Sequence, residues 1–145
     1  MEKNLSLELF LVLSRAYRSV MEHAIRDIRR YSLNPTEFAV LELLYHKGPH
    51  ALQQIGEKIL LASGSITYVV DKLEEKGYLT REPCEKDRRI TYATITEKGN
   101  QLMDEIFPQH IQAIARAVEG LDEAEKAEAL QLLKKLGISA KKALE

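Results

Sequence analysis

LLASGSITYVVDKLEEKGYLTREPCEKDRRITYATITEKG, residues 60–99, decides how the rest of the chain is read. Ile66, Val69, Val70 and Leu73 recur at i, i+3, i+4 and i+7, which is one buried face of a helix. Ser65, Tyr68 and Lys72 fall on another face, with Thr67 and Asp71 beside them. The Ser63 hydroxyl can accept from a free N–H of the first turn, which makes it the expected N-cap. Gly77 ends the helix as a glycine at C′ does. Residues 78–81 and 90–95 are rich in β-branched and aromatic side chains and read as two short strands. Residues 83–87 supply the turn, and Asp87, Arg88 and Arg89 make a charged tip. Small hydroxyl side chains in a first turn let a helix approach base edges closely, and the free N–H groups there attract phosphate. Taken alone, the helix is an ordinary amphipathic surface helix and the charged hairpin an ordinary soluble one. The informative signal is the order, which is helix, glycine, strand, basic tip, strand, helix. That order is the second half of a winged helix-turn-helix. Asp71 and Asp87 are each placed to pair with Arg88 or Arg89 and orient the wing.

The first half should lie upstream. Asn34-Pro35-Thr36-Glu37 opens a helix, with Asn34 as N-cap, Pro35 at N1 and Glu37 at N3 closing a capping-box-like pair. Phe38, Leu41, Leu44 and Tyr45 give that helix one apolar face, and Gly48-Pro49 stops it. A short helix over 52–60 follows, with Leu52, Ile55 and Ile59 inward. Gly56 is small enough to let the two helices of a helix-turn-helix cross closely.

In this order and spacing, four pieces resemble the MarR family, the multiple-antibiotic-resistance regulators. They are Ser63-Gly64-Ser65-Ile66-Thr67, Val70-Asp71-Lys72-Leu73-Glu74-x-Lys76-Gly77, Asp87-x-Arg89 and Ile95-Thr96-Glu97-Lys98-Gly99. The resemblance covers nearly the whole chain. It implies a mostly α fold with a small β-hairpin wing, a dimeric winged helix-turn-helix forming one domain over 1–145. Dimerisation helices are expected at about 5–31 and 97–144, and the winged lobe at about 34–96. The implied protein is a transcription regulator, usually a repressor, released from DNA by a small ligand or by oxidation. Its implied partners are double-stranded DNA, a second copy of the chain and a small effector, with no cofactor. By position Ser63, Ser65, Thr67 and Tyr68 match the family's major-groove contacts, and Arg89 its wing-tip arginine. Arg81 matches a basic position after the recognition helix, and Lys72 and Arg88 complete the expected DNA-binding set. Tyr68 is bulkier than many residues at its place, so the operator sequence does not carry over from a relative.

Composition sets bounds on this reading. A chain of 145 residues supports one domain with a real core. Its net charge is −1, so DNA binding requires a local basic patch. Between Asp71 and Arg89 six basic residues (Lys72, Lys76, Arg81, Lys86, Arg88, Arg89) face six acidic ones (Asp71, Glu74, Glu75, Glu82, Glu85, Asp87). Geometry must therefore turn the acids away, and binding should be modest and salt-sensitive. No stretch is long and apolar enough for a bilayer, the N-terminus is not a signal peptide, and one cysteine excludes an intrachain disulfide framework. A cytoplasmic protein is expected. There is no nucleophile elbow, paired catalytic carboxylate motif or phosphate loop, so an enzyme is not expected.

The flanks carry more apolar surface than one small core needs. Phe10, Leu13, Tyr17, Val20, Ala24, Ile28 and Tyr31 line one face of a long first helix, with Leu5, Leu7, Leu9 and Leu11 beyond that stripe. Thr96 caps a helix that contains Pro108 and should kink there; Asp122 with Glu125 starts another, carrying Leu130, Leu133 and Leu136, and Gly137 closes it. A partner chain is the economical sink, and two-fold symmetry then asks for a roughly palindromic operator.

Control is less legible. His23, His46, His50 and His110 are scattered without ligand spacing, so no metal site is expected and each reads as a surface or helix-end residue. Cys84 in the wing turn is either an incidental cysteine or a redox sensor. The family's peroxide-sensing branch carries its cysteine in the first helix, and 10–17 here contain none. An aromatic effector, phenolic or quinone-like as is common in this family, remains; Tyr17, Phe38 and Tyr45 are its candidate walls and equally candidate core residues. The rival function is a winged helix that uses the same hairpin on a protein partner.

Overall fold

The computed structural model describes residues 4–59 and 63–145, with 63 and 64 given by backbone alone. The elements are α1 (Leu5–Arg29), α2 (Pro35–Lys47), β1 (His50–Ala51), α3 (Leu52–Lys58), α4 (Ser63–Glu75), β2 (Leu79–Pro83), β3 (Thr91–Ile95), α5 (Glu97–Ala117) and α6 (Glu123–Ala143). Helices with one small antiparallel sheet, in this order, make a winged helix-turn-helix. Two compact units divide the chain, residues 24–111 and residues 1–23 with 112–145.

In the first of these units, α2 begins as its sequence requires. Asn34 Oδ1 accepts from Glu37 N–H at 2.8 Å, and Glu37 Oε1 accepts from Asn34 N–H at 3.0 Å. Gly48, at φ 81°, ends the helix. Phe38, Leu41 and Leu44 of α2, Ile55 of α3, and Ile66, Val70 and Leu73 of α4 meet in one core with Leu79, Ala93, Met103 and Ile106. Each large aliphatic side chain buried there contributes about 1.5–3 kcal/mol relative to exposure. The 3.6-residue spacing read along α4 is therefore the spacing of its buried face.

A Schellman turn closes α4. Tyr78 N–H donates to Leu73 O and Gly77 N–H to Glu74 O, both at 3.0 Å. Gly77 sits at φ 84°, the left-handed region that glycine enters without steric cost. The chain then reverses into the wing. Strand order is β1-β3-β2, and Ala93, fully buried, is paired on both sides, with His50 and Arg81. Two features differ from the sequence reading. β1 is a third strand of two residues, too short to leave any alternation. β2 extends to Pro83, paired with Thr91, where a turn was expected. β2 is an edge strand, and there a proline's missing N–H costs no ladder bond.

α5 starts against this turn. Thr96 Oγ1 accepts from Gly99 N–H at 3.0 Å and donates to the Gly77 carbonyl at 2.6 Å. A Cβ on Gly99 would lie 2.3 Å from the Tyr78 carbonyl oxygen, so the close approach depends on glycine. α5 continues through Pro108 to Ala117.

In the second unit, Asp122 and Glu125 form the expected capping box of α6. Gly137 does not close that helix, which runs on to Ala143. An interior glycine costs a helix only about 1 kcal/mol, and Ala140, Lys141, Lys142 and Ala143 beyond it favour helix. None of the residues of α6 is buried. No described helix is long and apolar enough to cross a membrane.

Candidate DNA interface

The surface of α4 opposite the core carries the expected residues. Ser65, Thr67, Tyr68 and Lys72 are all exposed, Tyr68 to 63%. The Lys72 ammonium lies 5.5 Å from the centroid of the Tyr68 ring, so a cation and an aromatic face share one patch. Lys72 also reaches Glu75 at 3.9 Å. Ser63 lies at the start of α4, but its side chain and its capping role fall outside the described residues, as does Leu60, the expected end of α3.

The wing tip is built around Asp87. Arg89 donates from Nε to Asp87 Oδ1 and from Nη2 to Oδ2, each at 3.0 Å, and its backbone N–H donates to Oδ1 at 3.1 Å. This fork holds the Asp87 carboxyl below its ordinary value, through the Arg89 side-chain hydrogen bonds first and the backbone bond second. The Arg89 side chain is nonetheless 90% exposed. Arg88 beside it is exposed, without an ion pair among the described residues. Cys84 is half-buried at the base of the tip, its N–H donating to the Ile90 carbonyl at 2.8 Å.

Arg81 is placed otherwise. β2 runs back beside the last turns of α4, and Arg81 meets Asp71 Oδ1 at 2.6 Å and Glu74 Oε1 at 2.9 Å. Its backbone N–H also donates to Glu74 Oε2 at 3.1 Å. The contact lowers the Glu74 pKa, chiefly through the side-chain hydrogen bond. Asp71 therefore pairs with Arg81, not with Arg88 or Arg89, because those two lie further along the hairpin. Asp71 and Glu74 thus share the one positive charge of Arg81, and Asp87 is matched by Arg89.

The suggested effector walls do not share a unit. Tyr17 lies on α1 in the unit of 1–23 and 112–145, where it is exposed. Phe38 is core in the other unit, its ring 4.5 Å from that of His110. Tyr45 is half-buried, donates its hydroxyl to Asp104, and packs near His46 and Phe107. The open cleft of about 640 Å³ on α2 is lined by Ala39, Glu42, Leu43, His46, Lys47 and Ile59, and by neither of these aromatics.

One group was missed by the sequence reading. His110, expected at a surface or helix end, is buried, with Nδ1 3.1 Å from Asp27 Oδ2. Asp27 Oδ1 accepts from the Tyr31 hydroxyl at 3.0 Å. The available signal was Asp27 itself, a carboxylate one residue from Ile28 on the inward stripe of α1. A buried charge implies a partner.

Comparison with known proteins fits this geometry. Residues 33–91 match the sequence profile of the MarR family. The HTH-type transcriptional regulator MhqR of Bacillus subtilis (strain 168) is 58% identical over 136 residues, 94% of each chain. The chain belongs to the MarR family. As a member of the MarR family it is a DNA-binding transcriptional regulator and not an enzyme. Solved structures agree on the fold. A MarR family regulator from Streptomyces coelicolor, in complex with DNA, superposes with a TM-score of 0.84 at 17% identity, covering 97% of this MarR-family chain and 91% of its own. BpsR of Bordetella bronchiseptica, in a structure concerning regulation of its DNA binding by 6-hydroxynicotinic acid, gives 0.81 at 24% identity, covering 94% and 98%.

Proposed function

We propose that this regulator is a homodimeric repressor acting in the cytoplasm. It binds a palindromic operator and is released by a small aromatic effector, phenolic or quinone-like. The observation that carries the reading is the pairing of an exposed polar face on α4 with an arginine-tipped wing, while apolar side chains of α1 such as Phe10 and Tyr17, and of α6 such as Leu130 and Leu133, lie exposed. Ser63, Ser65, Thr67, Tyr68 and Lys72 read the major groove, and Arg88 and Arg89 bring the wing to the adjacent backbone or minor groove. Arg81 acts through α4, because its fork is already on Asp71 and Glu74.

A dimer is supported by α6, a helix of 21 residues with none buried. An aromatic effector is supported by analogy with BpsR, whose DNA binding is regulated by 6-hydroxynicotinic acid, a hydroxylated aromatic acid. Tyr45, half-buried on α2, is the proposed wall, since Phe38 is closed inside the core. Such a ligand releases DNA only if it binds the free protein more tightly than the DNA-bound form.

The test begins with selection of bound fragments from the source genome by the purified protein. Recovered fragments are expected to share an inverted repeat and to bind with an affinity that falls steeply with salt. Phenols and quinones are then titrated into the complex. Fragments without a repeat, or binding indifferent to salt, would favour a protein-binding winged helix. A complex that Cys84→Ser leaves intact under a treatment that releases wild type would identify the cysteine as the sensor.

A further inference from the structure

Lys76 belongs to the six basic residues from which DNA-facing charge must come, yet its ammonium points back into the fold. Nζ lies 2.8 Å from Glu37 Oε2 and 3.2 Å from the Ser32 carbonyl oxygen. Glu37 is buried at the start of α2, and its Oε1 already accepts from Asn34 N–H. Both oxygens of one buried carboxylate are thus used, one to begin α2 and one to hold the end of α4. The Lys76 carbonyl accepts in turn from Lys98 Nζ at 2.8 Å, beside the Thr96–Gly77 bond that seats α5. The apolar contacts of the core that α2 and α4 share are non-directional and tolerate small rotations of one helix on another. An ion pair to a buried carboxylate does not, because taking the half-exposed Lys76 away leaves the Glu37 charge uncompensated.

We propose that Glu37 and Lys76 are positioning residues for DNA recognition. Their ion pair fixes the angle between α2 and α4, and so the depth and register at which Tyr68 and Lys72 meet the groove. Lys76 itself makes no DNA contact. With Arg81, it is a second basic residue of the recognition segment used inside the fold, which leaves Lys72, Lys86, Arg88 and Arg89 for DNA.

Salt dependence separates positioning from contact. Each lysine that neutralises a phosphate contributes about one unit to the slope of log affinity against log salt. The full-length chain is compared with Lys76→Met, Glu37→Gln and the double variant, using a duplex that the wild type selects from a random-sequence pool and an unselected duplex. The double variant leaves no unpaired charge and is the deciding protein if either single variant unfolds. Affinity for the selected duplex should fall about tenfold in each variant, and the double should lose no more than a single. Binding to unselected duplex and the salt slope should match wild type, and Lys76→Arg should recover most of the preference. A slope lower by about one in Lys76→Met, with Glu37→Gln binding as wild type, would make Lys76 a phosphate contact. A folded double variant with undiminished preference, or a double variant that cannot fold, would also overturn the proposal. The pair would then hold the fold together without setting recognition.

Discussion

Arg89 stands at the wing tip with its guanidinium in water and its geometry already set by Asp87. A fork fixed before DNA arrives loses less rotamer freedom on binding. Arg89→Ala should therefore weaken operator affinity by on the order of ten- to a hundredfold, lower the salt slope by about one, and leave thermal unfolding unchanged. Titrations at several salt concentrations check this; a folded variant with wild-type affinity removes Arg89 from the interface. Tyr68 is the other exposed recognition side chain with real bulk. Tyr68→Ala should change the ranking of operator variants in competition assays, beyond any uniform loss of affinity. An unchanged ranking means that Tyr68 does not read sequence.

At the scale of elements, the recognition helix, the wing and α5 converge on 76–78, and Gly99 makes the convergence possible. Gly99→Ala places a methyl carbon against the Tyr78 carbonyl, and overpacking of this kind costs about 1–3 kcal/mol. Urea unfolding should show that loss, and a variant as stable as wild type would mean that α5 shifts freely. Where α1 meets α5, burial and then the hydrogen bond to Asp27 push the Tyr31 phenol above its ordinary value of 10.0. A pKa raised on folding adds stability that is present below pH 10 and lost as pH climbs through the raised value. Wild type should lose stability above that pH, and Tyr31→Phe should lose less; equal alkaline profiles refute the assignment. These elements show what the sequence makes legible. Capping at Asn34, Thr96 and Asp122, the stop at Gly77 and the buried face of α4 follow from local chemistry. β1 and the length of β2 do not, because pairing with β3 decides them. Gly137 misleads because helix-forming neighbours outweigh its small cost. The pairings of Asp27 with His110, Glu37 with Lys76 and Arg81 with Asp71 are hidden because each spans a gap in sequence that only packing closes.

The whole molecule leaves much apolar surface uncovered. Leu130 and Leu133 on α6 are each 52% exposed, and Leu5, Phe10 and Tyr17 on α1 more so. Monomers rarely keep patches of this kind in water. Changing Leu130 and Leu133 to Glu should yield monomers or insoluble protein and abolish operator binding. Sedimentation checks it, and a wild type that remains a well-folded monomer at micromolar concentration would disprove the dimer.

A small sheet with two open sides is a hazard for any protein that gathers in numbers on one stretch of DNA, since unpaired strand edges invite pairing between molecules. Here the outer strands are poor templates. β1 offers two residues, and β2 ends on Pro83 and carries Arg81 and Glu82. Two copies of the protein that meet at their wings therefore find little strand edge on which to extend the sheet.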